Sequence, residues 1–154
     1  MTLMAKWLYL LALAVWVGGA AFFRGAVAPT ALRTLSAEDA SQLMRRLVAR
    51  CYPVGIVCAA VGIVCVGLLL ADNSFSTWPA ILSLLLLAGA GGTNWWLWRA
   101  VFPQLSALRD RADGKDAEAE REWKTLHQLT VRLNTAMWLC GLALLFLMVC
   151  GHAV

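Results

Sequence analysis

Four stretches of this chain run for about twenty residues almost without charge: Leu3–Phe23, Tyr52–Ala71, Trp78–Trp98 and about Leu129–Val149. Only Lys6 and Arg132 interrupt them. Each is close to the roughly 20 residues that cross a hydrocarbon core about 30 Å thick. Lipid offers the backbone no hydrogen bonds, so an open chain of this character must be helical. The expected fold is therefore all-α: a four-helix transmembrane bundle forming a single integral membrane domain over residues 1–154. Composition points the same way. The chain is 61% hydrophobic and 14% charged, against about 45–50% and 25% in soluble domains, and its mean hydropathy is +0.70. Lys6 ahead of an apolar run resembles the start of a secretory signal. The run continues to Phe23, however, well past the 7–15 residues of a signal core, without a convincing small-x-small cleavage site before Arg24, so a retained first helix is expected.

The basic residues orient the bundle. Of 13 Lys and Arg, all but Lys6 fall at or within two segments, 24–51 and 99–128, or just beyond at Arg132. By the positive-inside rule these segments are cytoplasmic and both termini face the other side, as in a multi-pass protein of a bacterial inner membrane. The net charge of +4 then needs no nucleic acid. The second segment also carries six of the nine carboxylates, unlike a phosphate-binding patch.

Within the first segment, Ser36 followed by Glu38 and Asp39 reads as a helix cap. Leu43, Met44, Leu47, Val48 and Cys51 recur at helical spacing opposite Arg45, Arg46 and Arg50. This predicts an amphipathic cytoplasmic helix between spans one and two, either flat on the membrane surface or capping the bundle. In the second segment Pro103 is expected to kink or end the third helix, and Asp116 to cap the stem of the fourth. Glu120 and Lys124 are spaced as a helical ion pair. Trp78-Pro79 after Ser76-Thr77 reads as the start of helix three.

Gly18-Gly19, Phe22-Phe23, Arg24, Pro29 and Arg33 are echoed by Gly91-Gly92, Trp95-Trp96, Arg99, Pro103 and Arg109. The echo fits a duplicated helical hairpin with halves related by an axis along the membrane normal. It also fits the recurrence of packing glycines and interfacial aromatics in any bundle. On helix two, Cys51, Gly55, Cys58, Gly62 and Cys65 form a stripe of small side chains. With Gly18, Gly19, Gly91 and Gly92 it is expected to be a helix-packing seam. The competing reading is a thiol ladder for soft metal such as copper. Cysteines seven apart stand roughly 10 Å apart along the axis, so Cys58 and Cys65 would each need help from Cys140, Met137 or Met148.

Asn94 and Asn134 fall at one depth, roughly 7 Å from mid-span on the cytoplasmic side. They predict either an interhelical clamp or a polar binding site. His127, Thr130, Asn134, Trp138 and Gly141 share a face of helix four, while Arg132 points elsewhere and must find a partner. His127 and His152 lie roughly 37 Å apart if the chain between them is helical. They cannot ligate one haem within a monomer, which leaves His127 with a partner subunit. Neither Cys-x-x-Cys nor His-Glu-x-x-His occurs. No cofactor or enzymatic activity is expected, and the eight tryptophans read mainly as interfacial anchors.

Three blocks carry a resemblance: Trp16-Val-Gly-Gly-Ala-Ala-Phe-Phe through Pro29; Asn94 with Phe102-Pro103 and Leu108-Arg109; and Trp123 through Leu126-His127, Thr130-Val131 and Asn134. Together they resemble a bacterial four-helix membrane family of unknown function containing the transmembrane-protein-205-like domain. The third block departs from that pattern at Trp123 and Arg132. The resemblance implies the four-helix topology and brings no established activity. A eukaryotic relative is associated with platinum-drug resistance, which points toward metal or drug export; copper-resistance proteins and a haem-biosynthetic oxidase are more distant analogies. The sequence thus leads to a non-enzymatic accessory or assembly subunit that binds partner helices or a second copy. Soft-metal or small-molecule transport and haem-based electron transfer are the alternatives.

Overall fold

The computed structural model describes residues 2–114 and 116–150, the side chains of Asp113 and Cys150 excepted. Lys115 and His152 lie outside the described residues. Four helical rods make up almost all of them: α1 (Thr2–Thr34), α2 (Ala37–Ala71), α3 (Thr77–Ala112) and α4 (Ala117–Cys150). All four are long and apolar enough to span a bilayer. α2 packs between α1 and α3, and α4 closes the bundle against both. At 1.5 Å per residue each rod is about 50 Å long, so roughly a third of each extends beyond the hydrocarbon core.

The amphipathic stretch after Ser36 is not a separate surface helix. Ser36 caps it, its Oγ accepting from the Asp39 amide at 3.1 Å, and α2 then runs unbroken through Pro53 to Ala71. α3 likewise does not end at Pro103. Both α1 and α3 pass their prolines by the same device: a five-residue π-turn, Phe23–Val27 in one and Leu97–Val101 in the other. Proline has no N–H and its ring crowds the carbonyl four residues back. Widening the preceding turn relieves that crowding, and the amides of Ala28 and Phe102 bond five residues back to Phe23 and Leu97. Beyond Pro103, the charged end of α3 is tied to α2 by Arg45 and Asp110, 2.8 Å apart.

At the α4 start, Asp116 Oδ1 accepts from the amides of Glu118 and Ala119, both at 3.1 Å. The Ala119 amide and the Arg111 guanidinium at 2.8 Å hold this carboxyl below the usual range. Glu120 and Lys124 pair at 2.7 Å on the stem.

The interval separating Pro29 from Pro103 also relates the inner faces of α1 and α3. Tyr9 and Ser83 correspond, as do Leu13 and Leu87, and all four are at most 1% exposed. On α2, Cys58, Gly62, Cys65 and Leu69 are buried at spacings repeated on α4 by Met137, Gly141, Leu144 and Met148. The Pro29–Pro103 interval does not relate α2 to α4, whose matching stripes have the spacing of any helix with one inward face.

Candidate functional site

The inner face of α2 runs through Tyr52, Gly55, Cys58, Gly62, Cys65 and Leu69. Two of its glycines allow close crossings with α3. A Cβ built at Gly55 would lie 2.9 Å from Asn94 Nδ2, and one at Gly62 would lie 3.0 Å from a Leu87 methyl. Gly91 is looser, 3.2 Å from the Ala59 methyl by the same construction. Gly141 brings α4 against α1, with Val17 Cγ2 only 2.6 Å from where its Cβ would stand. One turn earlier, Trp138 Nε1 donates to the Val17 carbonyl at 3.3 Å.

The other members of the expected seam face away. Cys51 is exposed, because Tyr52 takes the inward position beside it and meets Phe102 edge-on at 6.4 Å. Gly18, Gly19 and Gly92 are exposed, with nothing within 4 Å of an added Cβ. The inner face of α1 is carried instead by Ala5, Tyr9, Ala12 and Leu13.

The two asparagines meet α2 one turn apart rather than each other. Asn94 is buried; its Nδ2 donates to the Ala90 carbonyl at 3.1 Å while the amide covers Gly55. Asn134, half-buried, lies near the Tyr52 hydroxyl. Thr130 is buried and satisfies its own helix, donating to the Leu126 carbonyl at 2.9 Å. Tyr52 is thus the member of the polar layer that reading by depth missed. In the other half of the bundle Tyr9 and Ser83 are fully buried near each other, and neither hydroxyl has a hydrogen-bond partner among the described residues.

His127 stacks on Trp123 with ring centroids 4.8 Å apart and planes 6° from parallel; Arg109 covers the other ring at 5.0 Å. Arg132 is exposed on the outside of α4. Cys58 and Cys65 are buried free thiols on α2, with Met148 in the same apolar cluster as Cys65. Cys140 is half-buried on α4. Among the described residues no three His, Cys, Asp or Glu side chains come together as a metal site would require.

Residues 11–113 match the family described as a domain of unknown function, DUF4149. The chain belongs to the DUF4149 family. The matched DUF4149 segment covers most of α1, all of α2 and all of α3, with the Asn94–Gly55 contact inside it. α4, carrying Asn134 and His127, lies beyond it. No curated protein and no solved structure matches the chain.

Proposed function

We propose that this DUF4149 protein is a non-enzymatic accessory or assembly subunit of a bacterial inner membrane, and that it binds the transmembrane helix of a partner protein. The observation that carries the reading is a pair of equivalent, uncovered stripes on α1 and α3. Leu11, Ala14, Gly18 and Phe22 correspond in register to Leu85, Ala88, Gly92 and Trp96, and all eight are exposed. In lipid no hydrophobic effect drives helices together, so close backbone approach over glycine and alanine supplies the attraction. A glycine uncovered by its own bundle is poor lipid-facing surface and good helix-facing surface. The basic residues of segments 24–51 and 99–128 support cytoplasmic loops and periplasmic termini. The wider kinship with the transmembrane-protein-205-like domain, supported by the Trp123–Asn134 block, belongs to the same proposal.

Gentle solubilisation of native membranes followed by affinity purification tests this. A larger stoichiometric complex is expected, lost in Gly18→Leu and Gly92→Leu proteins that keep their helical content. A native protein that runs as a clean monomer would overturn the proposal.

A further inference from the structure

An open groove of about 650 Å³ lies between the cytoplasmic end of α3 and the outer face of α4. Leu108 forms one wall; Arg121, Glu122, Gln128, Leu129 and Arg132 line the other. Arg132 sits one turn inside the apolar run that begins at Leu129. At that depth a guanidinium without an anion costs a few kcal/mol. The ion pairs Arg45–Asp110, Arg111–Asp116 and Glu120–Lys124 do not involve it. Glu122, the one carboxylate of the groove, is ten residues away, roughly 15 Å along the helix.

The geometry points to a bound anionic phospholipid: its phosphate pairs with Arg132, its headgroup hydroxyls meet Gln128 toward the aqueous mouth, and its acyl chains run deeper along the exposed face of α4 at Leu139. Basic pockets between transmembrane helices at the membrane boundary hold anionic headgroups in this way. Arg121 adds positive potential at the aqueous mouth of the groove and offsets Glu122. A free anion is the weaker match, because the groove lies at the hydrocarbon boundary and has leucine walls.

Native mass spectrometry of the detergent-purified full chain, titrated with phosphatidylglycerol or phosphatidylcholine, reads the site directly. Retention of phosphatidylglycerol is expected to exceed that of phosphatidylcholine by roughly fivefold or more, the factor that about 1 kcal/mol per basic side chain implies. Arg132→Gln should abolish the preference, Arg132→Lys should keep most of it, and Arg46→Gln, on the exposed part of α2, should leave it unchanged. Circular dichroism on each variant separates loss of the site from loss of the fold. Equal retention of the two lipids, or a preference surviving Arg132→Gln, overturns the assignment. Displacement of the lipid by millimolar inorganic phosphate overturns it in favour of a free-anion site.

Discussion

The inner face of α2 and the outer faces of α1 and α3 are built from the same kind of residue and do opposite things. Gly55 and Gly62 are filled by Asn94 and Leu87 from the neighbouring helix; Gly18 and Gly92 have nothing beside them. In an apolar helix, glycine marks a place where a backbone can come close. It does not say whether that backbone belongs to the same chain. The inner pair builds this bundle, and the outer pair is left uncovered by it.

The sharpest way to break that distinction is to enlarge the inner glycines. Gly55→Leu and Gly141→Leu place side-chain atoms where Asn94 Nδ2 and Val17 Cγ2 now stand, at 2.9 and 2.6 Å from a Cβ alone. Overpacking of this kind costs about 1–3 kcal/mol or more, read as a fall in the midpoint of detergent-induced unfolding. Next comes the Tyr52 hydroxyl. Tyr52→Phe removes the hydroxyl near Asn134 and should cost no more than about 2 kcal/mol in the same assay, while Asn94, bonded within its own helix, keeps its partner. The outer glycines should give the smallest change in the isolated chain: Gly18→Leu and Gly92→Leu are expected to stay within about 0.5 kcal/mol of the parent. A large loss there would mean that these faces belong to this bundle's own packing, and the comparison would fail.

A separate test addresses the start of α4. The Asp116 carboxyl titrates lower in the folded chain than in the unfolded one, so its stabilisation is complete above the unfolded value and fades as pH falls through the folded value. Amide exchange at Glu118 and Ala119 should therefore accelerate below about pH 4, beyond the intrinsic pH dependence of exchange. Asp116→Asn should remove that extra pH dependence, since an amide side chain does not titrate there.

The four spans were legible because hydropathy over twenty residues is a strong, one-dimensional signal. The Ser36 and Asp116 caps were legible because a cap is a contact over three residues. What could not be read was direction. Gly18-Gly19 and Gly55 look alike in the chain, and only the neighbours of each helix decide which is covered. The asparagines sat at one depth, but depth says nothing about rotation around the helix axis; Asn94 bonds the backbone of Ala90, and Asn134 lies near Tyr52. Pro103 was expected to kink or end α3, and the end did not occur for a local reason. A proline normally ends a helix, and the widened turn from Leu97 to Val101 that lets α3 continue has no simple residue code.

Those widened turns have a mechanical consequence. Because α3 crosses its proline without a break, its outer stripe at Gly92, its inner contact at Asn94 and its ion pair at Asp110 ride on one strut. A partner helix gripping the stripe would also be holding the far end, where Arg45 anchors α2. Load applied in the membrane would reach the aqueous ends of the hairpins without any hinge between them.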